Sequence, residues 1–133
     1  MARNMSFAMT TEQIIDQSKT VTRRFGWKFL KPGEIVNGVK KSMGLKKGEK
    51  IHRLGKIEII STDFEPLNSI TKDDCIKEGF PEMEPAEFVA MIQDVYKCKA
   101  DAMINRIEFK YLDKPVWSGV DLAQPNPELL GLR

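Results

Sequence analysis

The densest group of side chains able to do chemistry is Lys19-Thr20-Val21-Thr22-Arg23-Arg24. A lysine drawn out of water gives up its proton more readily, because burial penalises the charged form. The neutral amine can then take the proton of a nearby hydroxyl and activate it, as Ser–Lys nucleophile pairs do. On a continuous strand, positions 19 and 22 point to opposite sides, so a turn is needed to bring both toward one pocket. Taken alone, the segment is read more simply as exposed charges beside strand threonines.

Glu78 is the second candidate. It falls in the last turn of an expected helix, where the dipole disfavours a carboxylate by roughly 0.3–1 kcal/mol. Such a placement makes sense if a cation such as Lys19 compensates it, or if the side chain is simply solvated. His52 is the only histidine, which excludes a His-based triad and a two-His metal site. No P-loop, GxGxxG, HExxH or GxSxG is present. Cys75 and Cys98 form neither a CxxC motif nor a disulfide framework and are read as reduced thiols. No zinc-ligand spacing occurs, so no metal or other cofactor is expected. Trp27 and Phe29 could stack on a base, but core packing is the simpler expectation.

Charge is distributed unevenly. Residues 19–56 carry twelve Lys and Arg against Glu34 and Glu49, whereas residues 57–101 carry four Lys against eleven Asp and Glu. Clustered Lys and Arg attract phosphate whatever the base sequence, so the basic half could meet a polyanion. The alternative is that the two halves fold face to face and neutralise each other. The 133 residues, 41% apolar and 30% charged, are those of one ordinary globular domain. No apolar run approaches the roughly 20 residues that span a bilayer, and no signal-peptide h-region is seen. A soluble cytoplasmic protein with no membrane partner is expected.

The elements that must position these groups can be read in order. Thr10 and Gln13 have capping-box spacing and open a short helix that stops near Ser18. The β-branched run Thr20-Val21-Thr22 favours a strand. A turn at Lys31-Pro32-Gly33 leads to a strand over 34–39. Residues 40–50, KKSMGLKKGEK, read as a basic hairpin loop. Strands are expected near 51–54 and 56–61, with Gly55 as a bulge, then a connection at Glu65-Pro66-Leu67. Thr71 caps a helix with Asp73 and Asp74 in its first turn and Gly79 at its end. Pro85 starts another, whose Phe88, Met91, Ile92 and Val95 share one face. Ile107, Phe109 and Tyr111 alternate with Arg106, Glu108 and Lys110 as a half-buried strand. The order predicts an α+β fold, a mixed β-sheet or small barrel flanked by helices.

Lys19-x-x-Thr22-x-Arg24, followed by Phe29-Leu30-Lys31-Pro32-Gly33-Glu34, resembles the ASCH family (activating signal cointegrator homology domains). The resemblance implies a PUA-like mixed β-barrel flanked by helices and runs from about Ser6 to Leu112. The domain is accordingly placed at 1–112, with 113–133 a C-terminal extension that is partly disordered or lies on the surface. The family pattern is Gly-x-Lys-x-x-Glu-x-Arg; here Gln17 stands for the glycine and Thr22 for the glutamate. Threonine at that position is similar to a small bacterial subgroup, the N4-acetylcytidine amidohydrolases. The likeness maps the subgroup's catalytic residues onto Lys19, Thr22 and Glu78, the last within Thr71-Lys-Asp-Asp-Cys-Ile-Lys-Glu78.

The resemblance implies RNA or a modified nucleoside as partner, and a metal-independent amidohydrolase if the protein is an enzyme. Thr22 would attack the acyl carbonyl, Lys19 tuned by Glu78 would take the proton, and Arg24, Arg23 and Trp27 would bind substrate. Lys40, Lys41, Lys46 and Lys47 would form a rim for nucleic acid. Two alternatives stay open: a non-catalytic RNA-binding module and a ribonuclease.

Overall fold

The computed structural model describes residues 3–40 and 53–112. Five strands are formed: β1 (Asn4–Ser6), β2 (Val21–Arg24), β3 (Ile35–Val39), β4 (Arg53–Pro66) and β5 (Met103–Tyr111). They make one mixed sheet in the order β1-β3-β4-β5-β2. β1 runs parallel to β3, whereas β3–β4 and β2–β5 are antiparallel. The helices are α1 (Thr11–Ile15), α2 (Lys72–Lys77) and α3 (Pro85–Tyr96). The expected α+β class and mixed sheet are therefore observed. Among the described residues, no helix is long and apolar enough to cross a membrane.

The chain divides into two compact units. Described residues 3–17, 35–40, 53–58 and 111–112 form the first. Met5, Phe7, Ile14, Val36, Val39 and Ile57 are buried in it. Gly38 lies opposite Gly55, while Val39 lies opposite Arg53, so Leu54 is an extra residue in the ladder. Gly55, at φ +147°, supplies the expected bulge. The bulge does not end the strand: β4 continues for 14 residues through Glu65 and Pro66, where the sequence suggested two short strands and a connection. Asn4–Ser6 was not expected to form a strand at all, and three residues carry too little pattern to show it.

The second unit comprises Ser18–Glu34 and Ile59–Lys110. Its core gathers Leu67, Ile70, Cys75, Phe88, Ile92 and Ile104. Thr71 caps α2 by accepting from the Asp74 amide at 3.2 Å. Glu84 and Glu87 form a reciprocal capping box for α3, with Pro85 in its first turn. Phe88 and Ile92 are buried as their spacing predicts, but Val95 is 46% exposed because it lies near the helix end, beyond that core. Phe29, read as core packing, is 82% exposed in the turn before Lys31-Pro32-Gly33.

Candidate functional site

All the described candidate residues except Lys40 lie in the second unit. Helix α2 ends in a Schellman motif: the Phe80 amide donates to the Cys75 carbonyl at 2.9 Å, and the Gly79 amide to Ile76 at 3.0 Å. Gly79 takes φ +96°, a conformation glycine adopts without a Cβ clash. This leaves Glu78 as the capping residue. The helix end is tied to the start of β2, because the Thr20 amide donates to the Lys77 carbonyl at 2.8 Å. Thr20 in turn accepts from the Phe109 amide at 3.0 Å.

Lys19 is thereby set beside Glu78. Its ammonium donates to Glu78 Oε1 at 2.8 Å and to the Glu78 main-chain carbonyl at 2.8 Å. Both residues are only 3% exposed. The lysine supplies the cation that a carboxylate at a helix C-terminus calls for. Burial pulls the Lys19 pKa below its ordinary value; Glu78 opposes this, and Arg24 and Arg23 reinforce it. A lysine so placed spends more of its time as the neutral amine, the form able to take a proton, than one in water.

Arg23 was expected to contact substrate. Its side chain is instead 0% exposed and engaged with three carboxylates. Its Nη1 donates to Glu78 Oε2 at 3.1 Å; its Nη2 donates to Asp74 Oδ2 at 2.6 Å and Glu65 Oε2 at 2.9 Å. Arg106, directly across the ladder, donates to the same Asp74 through Nε at 2.8 Å and Nη2 at 3.1 Å. Asp74 therefore titrates at about 2, lowered first by its Arg106 hydrogen bond, against the opposing effect of burial, and then by Arg23. Burial pushes Arg23 down, but Asp74, Glu78 and Glu65 together hold its pKa above the ordinary value.

Thr22 and Arg24 lie on the alternate side of β2. Thr22 is 4% exposed, and its Oγ1 accepts from Arg24 Nε at 3.2 Å. Burial lowers Arg24 to about 10, partly offset by Tyr96 and Glu78. Lys19 and Glu78 are thus joined directly, while Thr22 is joined to Arg24, whose charge is felt by Lys19. Trp27 is half-buried at φ +56°, and its carbonyl accepts from Asn105 Nδ2 at 3.3 Å. Lys40 is exposed; Lys41, Lys46 and Lys47 lie outside the described residues. Among the described residues, no group of three or more His, Cys, Asp or Glu is placed to hold a metal ion.

Sequence reasoning missed Glu65, Asp74 and Arg106. Asp74 looked like a first-turn dipole residue and Arg106 like the solvent side of a strand. No local spacing signals that they meet. Gln17, by contrast, takes φ +64°, the region glycine favours, which gives a physical reason for a glycine at this place in the pattern.

No family model matches the sequence, and no curated protein matches it. Solved structures do. An ASCH domain from Lactobacillus crispatus superposes with a TM-score of 0.56 at 14% identity, covering 82% of this chain and 78% of that one. A DUF984 protein from Enterococcus faecalis gives 0.54 at 14% identity, covering 84% and 80%. At such identity the likeness is one of fold: the chain has the fold of an ASCH domain.

Proposed function

We propose that the protein binds RNA or a modified nucleoside and hydrolyses the N4-acyl amide of acetylcytidine. The observation that carries this reading is the buried Lys19 ammonium, bonded to Glu78 and shifted toward its neutral form. Neutral Lys19 takes the Thr22 hydroxyl proton as Oγ1 attacks the acetyl carbonyl carbon. Arg24, which donates to Thr22 Oγ1 in the free protein, stabilises the oxyanion. The tetrahedral intermediate collapses, the C–N bond breaks, and Lys19 returns the proton to the departing N4 amine. Water then attacks the acetyl-threonine ester and releases acetate. Incubation with N4-acetylcytidine should release cytidine; activity that survives both Thr22→Ala and Lys19→Ala would sink the assignment.

A second reading is a non-catalytic RNA-binding module, favoured by exposed Lys40 at the edge of the basic 40–50 segment. Its mark would be oligonucleotide binding that weakens steeply with salt and shows no turnover. RNA degradation abolished by Lys19→Ala would instead indicate a ribonuclease.

A further inference from the structure

Arg23 is notable for what it leaves unsatisfied. Its Nη1 and Nη2 serve three carboxylates, while its Nε is buried with no acceptor among the described residues. A buried N–H without a partner costs about 1–3 kcal/mol. Replacing a buried ion cluster by well-packed apolar side chains is often neutral or stabilising. Stability alone does not account for a guanidinium here.

Its link to the candidate site is direct. Glu78 gives one carboxylate oxygen to Lys19 and the other to Arg23. We propose that Arg23 is a positioning residue: by holding Oε2 of Glu78 it turns Oε1 toward Lys19, and it divides the carboxylate between two cations. This rests on the reading of Lys19 as a proton acceptor. Among the described residues, the charged groups that act on Lys19 include Glu78 from the end of α2 and Arg23 and Arg24 from β2. Glu78 favours the ammonium form, and the two guanidiniums oppose it. Asp74 and Glu65 anchor Arg23, so its charge stays beside the pair. Lys19 is then oriented by a carboxylate without being locked as a cation by it.

The test is the titration of Lys19 Nζ by nitrogen NMR in the full chain, the signal assigned with Lys19→Arg and folding checked by circular dichroism. Arg23→Gln should raise the Lys19 pKa by about one unit or more, a tenfold gain in proton affinity. Should that variant not fold, Glu65→Gln decides. Glu65 is 28% exposed and bonds Arg23 and Ser69, whereas the charges that act on Lys19 are those of Glu78, Arg24 and Arg23, so Arg23 is the link between them. With one counter-ion fewer, Arg23 leans further onto Glu78, and the Lys19 pKa should fall. An unmoved titration in folded Arg23→Gln, or an unchanged or raised one in Glu65→Gln, overturns the proposal. Shifts as expected without acetylcytidine turnover by the wild type refute the amidohydrolase reading and support Arg23's role; turnover with an unmoved titration does the reverse.

Discussion

Lys19 and Glu78, 59 residues apart, meet through two 2.8 Å hydrogen bonds from one ammonium, one to a carboxylate oxygen and one to the same residue's carbonyl. The carbonyl belongs to the cap of α2, so the orphan acceptor of a helix end and a buried charge are satisfied together. Glu78→Gln removes the carboxylate from Lys19 and Arg23 at once. It should cost about 3–5 kcal/mol, the range for stranding a buried charge. Lys19→Met leaves Glu78 its Arg23 partner and should cost less. Urea denaturation of both variants checks the order; equal losses would contradict it.

Hydrolysis of acetylcytidine should depend on Thr22 as a nucleophile and on Lys19 as a base. Thr22→Ala and Lys19→Ala are each expected to lower kcat/KM by about a hundredfold or more, whereas Thr22→Ser should retain most activity. The base must be neutral, so the rate should rise with pH as Lys19 loses its proton, below the ordinary lysine value of 10.5. A pH–rate profile of the wild type checks this. A rate that falls over that range would rule Lys19 out as the base.

Asp74 makes the stability acid-sensitive. Its pKa is depressed from 3.8 to about 2, so its contribution is complete above 3.8 and lost as pH falls toward 2. The size of the contribution is roughly 2 kcal/mol. Denaturation midpoints measured between pH 6 and pH 2.5 should fall less steeply for Asp74→Asn than for the wild type. Parallel curves would show that Asp74 is not the titrating group.

Gln17 at φ +64° sits in backbone space that costs a residue with a Cβ roughly 1–2 kcal/mol. Gln17→Gly should be neutral or stabilising, and Gln17→Val, β-branched, should destabilise by at least about 1 kcal/mol. Thermal unfolding of the two variants provides the comparison. A more stable valine variant would refute the backbone argument.

How much of this could be read in advance depends on the range of the physics. The cap at Thr71, the helix start at Pro85, the stop at Gly79 and the turn at Pro32-Gly33 obey rules acting over a few residues. So do the strand at Val21 and the face made by Phe88 and Ile92. Where local rules conflict with longer pairing, they failed: β4 runs through Gly55 and Glu65-Pro66, and a strand forms at Asn4–Ser6 beside β3.

The candidate site divides in the same way. Short-range pattern was enough for the residue types at 19, 22, 24 and 78, the helix that ends at Glu78 and the strand that carries Thr22. Which charges meet emerged from the packing of the folded chain. Arg23 and Arg24 are adjacent and chemically identical, yet alternation sends one into a buried cluster with Glu65, Asp74 and Glu78 and leaves the other beside Thr22. Those three carboxylates lie 42 to 55 residues from Arg23. An ion pair has no spacing rule at such separations, so its partners are set by the packing of β2, β4, β5 and α2.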